Sequence, residues 1–214
     1  MKIFAISGLG ADERVFDYLK LDYELIHVKW INPSKRESII DYSKRLISHY
    51  CIEENENFGI LGVSFGGLIA TEISKLTQPK FTVLISSIET QNELPFVLRL
   101  IGQLKIVELI PRKLLAPPKF IVNYYFGTNK RHLLHTIFKE ADPYFTKWAI
   151  KELVSWKNKQ RLDNLIHVSG ANDKLLPPKG NHIILINKGA HFMIVDKANE
   201  LSRVINREIK KMIS

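Results

Sequence analysis

Five residues constrain this chain more than any others: Gly62-Val63-Ser64-Phe65-Gly66. They follow an apolar run, Phe58 to Val63, and precede a segment in which Leu68, Ile69, Ile73 and Leu76 recur at helical spacing. A serine on so sharp a strand-to-helix bend is held at strained backbone angles, usually with φ above zero. The residues two before and two after it then crowd together, and only small ones fit. Gly62 and Gly66 leave that room, and Gly67 adds to it. With 11 Gly and 13 Ser in 214 residues, chance predicts only about 0.03 such pentapeptides. The plain alternative is a glycine-rich turn with a serine helix cap.

The same rhythm of apolar strand, turn and helix runs through most of the chain. Lys2 to Ser7 is a short apolar run ending at Gly8-Leu9-Gly10. Asp12 to Leu19 reads as a helix, with Val15, Phe16 and Leu19 on one face. Tyr23 to Trp30 is rich in strand formers. Ser34 and Glu37 then have capping-box spacing ahead of a helix that ends near Tyr50. Phe81 to Ile85, Leu165 to Ser169 and His182 to Ile186 are further strands. Residues 196–213 make a last helix, with Leu201, Val204, Ile205, Ile209 and Met212 inward. Near-continuous apolar strands separated by helices imply a parallel sheet covered on both faces. The expected fold is therefore a three-layer α/β/α architecture with a mostly parallel sheet of about six strands.

Residues 91–160 break that rhythm. Pro95, Pro111, Pro117, Pro118 and Pro143 punctuate helix-like segments, and no strand stands out. The division expected is a core of residues 1–90 and 161–214, with 91–160 a helical insertion within a single domain. Pro95 to Ile110 reads as one amphipathic helix with Phe96, Val97, Leu100, Ile101, Leu104 and Leu109 as apolar anchors. Phe120, Tyr124, Tyr125 and Phe126, then Trp148, Val154 and Trp156, either line an acyl pocket or fasten the insertion to the sheet.

Charge is concentrated in the same stretch. The chain carries a formal +9, and residues 91–161 hold thirteen Lys/Arg, Arg112 and Lys113 among them, against five acids. That excess leaves open an anionic substrate such as an acyl carrier, a CoA thioester or a carboxylate, beside the plainer reading of a solvated basic face. The basic residues are not interleaved with aromatics in a nucleic-acid module, so no nucleic-acid partner is expected. No apolar run reaches the roughly 18 residues that span a bilayer. The single cysteine, Cys51, excludes an internal disulfide and any multi-cysteine zinc site. No His-Glu-x-x-His pair, clustered Asp/Asn loop or complete dinucleotide glycine motif is present, so neither a metal nor a cofactor is expected. A short first apolar run without a signal-peptide core points to a cytoplasmic location.

The strand-bracketed Gly-x-Ser-x-Gly resembles the nucleophile turn of the α/β-hydrolase family, and the resemblance covers the chain apart from the insertion. In that family the triad partners follow in the order nucleophile, acid, base, each on a loop after a strand. The resemblance implies Ser64 as nucleophile. It implies Asp173, in Gly170-Ala171-Asn172-Asp173, as the acid, with Glu89 after an earlier strand as the reserve. It implies His191, in Lys188-Gly189-Ala190-His191, as the base; none of the other six histidines falls in the corresponding loop. The oxyanion donors would be the backbone N–H of Phe65 and of Leu9, the latter in the Gly8–Gly10 loop where the family often has His-Gly and this chain has Ser7-Gly8. The family's antiparallel first pair has no counterpart, and the insertion would form a lid over Ser64. The implied function is a serine hydrolase, of the carboxylesterase or thioesterase kind, cleaving a small-molecule ester or thioester by acyl transfer. A triad-dependent lyase or C–C bond-cleaving enzyme and a non-catalytic ligand-binding protein are the alternatives.

Overall fold

A computed structural model describes residues 1–111, 115 and 117–213. Arg112 and Lys113 of the basic stretch lie outside the described residues. Six strands form one parallel sheet: β1 (Lys2–Ile6), β2 (Glu24–Val28), β3 (Phe58–Val63), β4 (Phe81–Ile85), β5 (Leu165–Gly170) and β6 (Ile184–Ile186). Their order is β2-β1-β3-β4-β5-β6, and every pairing is parallel. The chain leaves β1 in one direction along the sheet to β2, then returns past it to β3 and continues outward. Such a reversal opens a crevice at the carboxyl ends of β1 and β3, where loops diverge to opposite faces. Ile6 lies opposite Gly62 in the register, so the loops carrying Gly8 and Ser64 leave the sheet side by side.

The strands are buried because both faces are covered. Along β1, Ile3 and Ala5 face one core and Phe4 and Ile6 the other. The helices α1 (Ile39–His49) and α2 (Phe65–Thr77) pack against each other on the second face, and α9 (Ala198–Ile213) covers the first through Leu201, Ile205 and Ile209. At roughly 1.5–3 kcal/mol for each large apolar side chain removed from water, these two layers hold the sheet together.

Between β4 and β5 stand α3 (Phe96–Gln103), α4 (Ile106–Leu109), α5 (Lys119–Phe126), α6 (Arg131–Glu140) and α7 (Pro143–Ser155); α8 (Met193–Asp196) precedes α9. No strand occurs among the described residues of 91–160. The α7 helix starts on Asp142, whose side chain accepts from the Phe145 N–H, with Pro143 in the first turn. It is tied to the core by side chains. Trp148 donates through Nε1 to the Glu37 carbonyl (2.8 Å), Glu152 accepts from the Ile39 N–H (3.0 Å), and Trp156, just beyond the helix, donates to Glu72 (2.8 Å). Trp148 and Trp156 thus fasten the segment rather than line an acyl pocket.

Several expected features differ; Met212, expected inward on the last helix, is exposed. The Asp12–Leu19 helix is only a 3-10 turn, Glu13–Val15, because Asp12 caps the Arg14 N–H and pairs with its guanidinium, while Arg14 also reaches Glu140. Helix α1 begins later than Ser34: Ser38 caps Asp41 N–H, and Ser34 and Glu37 close a separate turn in which Glu37 accepts from the Ser34 N–H. The Pro95–Ile110 helix is split at Lys105, which sits at φ 53°. The face turned inward also differs: of the expected anchors only Ile101 is partly buried, joined by Leu98 and Val107, while Phe96, Val97, Leu100, Leu104 and Leu109 are exposed, Leu109 by 82%. Gly102 sets that orientation, since any side chain there would strike the Val154 carbonyl.

Candidate active site

Ser64 occupies the bend between β3 and α2 at φ 52° and ψ −121°, a conformation that costs a non-glycine residue of the order of 1–3 kcal/mol. The surroundings over-determine it. Ser64 N–H donates to the Ile85 carbonyl (2.9 Å), and the Ser64 carbonyl accepts from Gly67 N–H (2.9 Å) and from Ser87 Oγ (2.7 Å). A Cβ on Gly62 would lie 2.5 Å from the Gly66 carbonyl oxygen, and one on Gly66 would strike the Ser7 carbonyl. The two motif glycines therefore let the turn close on itself and on the loop after β1.

A continuous hydrogen-bonded chain leads from that serine. Ser64 Oγ lies 2.9 Å from His191 Nε2, and His191 Nδ1 lies 2.8 Å from Asp173 Oδ2. His191 follows β6 and Asp173 follows β5, so all three side chains come from loops at the carboxyl edge of the sheet. Asp173 and His191 are buried. The second carboxylate oxygen, Oδ1, accepts from the N–H groups of Leu175 and Leu176, both at 2.9 Å. That arrangement leaves Oδ2 aimed at the ring. Phe126 meets the His191 ring edge to face at 5.0 Å and shields it from solvent.

Glu89, the reserve acid, is engaged elsewhere. It is buried with Arg161 Nη1 at 2.5 Å and the Leu162 N–H at 2.7 Å, and it forms with Glu93 and His182 a knot where the chain returns from residue 160. Ligand atoms of Glu89, Glu93 and His182 lie within 4.8 Å of one another. Both carboxylates pair with the Arg161 guanidinium, at 2.5 and 3.6 Å, which is the chemistry of an ion-pair knot and not of a metal cage. Burial raises the pKa of Glu93 above the usual carboxylate value there.

The loop after β1 closes the other side of the site. Gly8 approaches Ser64 so nearly that a Cβ on it would lie 3.4 Å from the serine Cβ. Ser7, where the family often has histidine, donates through Oγ to the Ala11 carbonyl (2.7 Å), and Ala11 N–H donates to Gly8 (3.0 Å), so the loop is a tight turn. Gly10 sits at φ 70°, as a left-handed turn position requires. The N–H groups of Leu9 and Phe65 have no acceptor among the described residues.

Ser64 and His191 open into a cavity of about 450 Å³. Leu9, Phe126, Ile137, Phe138, Ile150 and Leu153 are representative of its walls, and no Lys, Arg, Asp or Glu is among its described lining residues. The described basic residues of 91–161 therefore do not line it. Thr146 supplies one hydroxyl, and its Oγ1 is buried without a partner among the described residues.

Two supporting residues carried no signal in the sequence. Ser87 holds the Ser64 carbonyl, and buried His167 on β5 in turn bonds the Ser87 carbonyl through Nε2 at 3.0 Å. Burial lowers the His167 pKa to about 4, so the ring is neutral and Nε2 is the donor. Neither residue belongs to a recognisable spacing; only the sheet register, which lays β5 beside β4, brings them together.

No family model and no curated protein matches the chain. Solved structures do. An esterase from Thermogutta terrifontis superimposes with a TM-score of 0.76 at 11% identity, covering 100% of this chain and 91% of that one. An esterase from Exiguobacterium antarcticum gives 0.73 at 15% identity, covering 98% and 92%. A hydrolase from Oleispira antarctica gives 0.72 at 14%, covering 98% and 90%. The chain has the α/β-hydrolase fold. No helix among the described residues is long and apolar enough to cross a membrane.

Proposed function

We propose that the protein is a serine hydrolase that cleaves carboxylic esters or thioesters whose acyl part is neutral and apolar. The observation that carries this reading is the chain Ser64 Oγ, His191 Nε2, His191 Nδ1, Asp173 Oδ2, with both contacts at hydrogen-bond length and its mouth in an apolar cavity.

The chemistry follows from where the protons sit. Asp173, held by two backbone N–H groups, accepts from His191 Nδ1–H and so leaves Nε2 as a base facing Ser64. As Ser64 Oγ attacks the carbonyl carbon, its proton passes to Nε2, and the imidazolium formed is stabilised by the Asp173 carboxylate. The carbonyl oxygen takes up negative charge in reach of the free N–H groups of Leu9 and Phe65, each worth of the order of 10²–10³ in rate. Collapse expels the alcohol or thiol with the proton from Nε2, leaving an acyl-serine. Water, deprotonated by His191, then repeats the sequence and releases the acid.

Residues 91–160 act as the cover that shapes the acyl site. Leu98, Phe126, Leu134, Ile137 and Ile150 all come from it. With no charged side chain among its described lining residues, the cavity would leave a carboxylate or phosphate on the acyl group unpaired, at a cost of several kcal/mol. Neutral acyl groups are therefore preferred over anionic ones. Labelling by a fluorophosphonate probe tests the assignment: wild type is labelled, Ser64→Ala is not, and equal labelling of the two removes Ser64 from the mechanism. Turnover of a nitrophenyl ester panel tests the chemistry. A well-folded protein that is labelled but cleaves no ester or thioester points to the lyase alternative.

A further inference from the structure

A second cavity, of about 490 Å³, shares only Val154 with the catalytic one among the described residues. It lies along the seam where α3 crosses α7, and its character is opposite. Among the described residues Arg99, Lys105, Lys151 and Lys157 line it, against a single carboxylate, Glu108. Lys151 has Glu152 at 3.5 Å, but Lys105 and Lys157 have no ion pair among the described residues. Arg99 lies over the Phe96 ring at 6.0 Å, and its Nε is buried with no acceptor among the described residues. A buried guanidinium N–H is ordinarily satisfied, and Arg99 is one of the residues that line this cavity. Concave walls also focus the field of clustered like charges and draw in counter-charge.

The rest of the lining narrows the ligand. Four cations against one acid suit a group carrying two negative charges better than a monocarboxylate. The planar guanidinium fork of Arg99 matches phosphate oxygens. Val154 and the buried Trp156 provide an apolar wall beside the cations. We propose that this cavity is a binding site for a phosphate-bearing small molecule with an apolar or aromatic portion, separate from the ester site. The local charge excess of residues 91–161 then has a use that the catalytic cavity does not supply. Because the site is read as binding only, it does not depend on Ser64 being a nucleophile.

Isothermal titration of the 214-residue chain with phenyl phosphate at low salt is the test, with inorganic phosphate and neutral benzyl alcohol as comparison ligands. Phenyl phosphate is expected to bind saturably at one site, more tightly than inorganic phosphate, while benzyl alcohol shows no site that depends on these cations. Lys105→Gln/Lys157→Gln, two exposed positions, and separately Arg99→Gln are expected to weaken phenyl phosphate at least tenfold. Lys130→Gln/Lys139→Gln, exposed lysines outside the cavity, is expected to change it less than twofold, and Ser64→Ala to leave it unchanged. Absence of saturable binding at millimolar ligand overturns the proposal. So does an equal response of the two double variants, which is a response to overall charge. The exposed pair keeps the test valid if Arg99→Gln does not fold.

Discussion

The hydroxyl of Ser87 donates to the carbonyl oxygen of Ser64 across 2.7 Å, from the turn that follows the neighbouring strand. Ser64 is thus braced from β4 as well as from its own helix. Ser87→Ala removes that brace and leaves a carbonyl with one donor, Gly67 N–H. The expected loss is about 1 kcal/mol of stability. If the brace positions Ser64, kcat falls severalfold while KM stays nearly constant. A variant that melts earlier with unchanged kcat assigns Ser87 a structural role alone.

The proposed roles of Ser64, His191 and Asp173 can be tested more sharply. Asp173→Asn keeps an acceptor for Leu175 and Leu176 but no longer enforces the His191 tautomer. A fall in kcat of about 10³–10⁴ is expected, with circular dichroism unchanged. Glu89→Gln should leave kcat within a few-fold, because that carboxylate pairs with Arg161 and not with His191. Steady-state kinetics on one nitrophenyl ester compares the two.

Gly66→Ala tests the closure of the turn that carries Ser64. Its Cβ would meet the backbone carbonyl of Ser7, and backbone at the core of the sheet has little freedom to yield. Destabilisation beyond about 3 kcal/mol is expected, by the overpacking mechanism. Chemical denaturation against wild type measures it. A stable, fully active Gly66→Ala protein contradicts the geometry.

Acid stability should report on His167. Its folded pKa of about 4 lies below the value of about 6.5 for a free imidazole. The unfolded chain therefore binds the extra proton first, and stability rises with pH across that interval. Equivalently, the contribution is whole above pH ~6.5 and is lost progressively as pH falls toward 4, amounting to roughly 3 kcal/mol. Denaturant midpoints measured from pH 7 to pH 4 should show a drop that is reduced in His167→Gln, whatever that variant's stability at pH 7.

Chain-length preference follows from the apolar cavity. Each added methylene of the acyl group that enters it contributes about 0.8 kcal/mol, or about fourfold in kcat/KM, until the space is filled. Ile150→Trp, which narrows the wall, should shift the best substrate to shorter acyl chains. An unshifted optimum argues that the acyl group does not occupy this cavity.

The strands were legible because parallel strands covered on both faces are unbroken apolar runs, and Phe58–Val63 and Phe81–Ile85 coincide with their sequence limits. Periodicity misled where a local contact outweighed it. Val15, Phe16 and Leu19 have helical spacing, yet the Asp12–Arg14 pair closes a tighter turn. Phe96 and Leu100 look like anchors, but the approach of Gly102 to Val154 turns the other side of α3 inward, and Leu109 lies in α4 beyond the break at Lys105. Leu98 and Ile150 meet in one wall only through the packing of α3 against α7, to which spacing along the chain gives no clue. The proton path reads from loops after strands; the cavity reads only from helices once packed.

One division of labour has a practical outcome. The hydrogen-bonded trio sits on the turns after β3, β5 and β6, whereas most of the cavity wall belongs to the single stretch joining β4 to β5. Under the proposed function, selectivity could therefore be exchanged by grafting that stretch from another protein while Ser64, Asp173 and His191 stay put. The graft would succeed only if it brought equivalents of Trp148, Glu152 and Trp156, the rivets through which the present stretch grips α1 and α2.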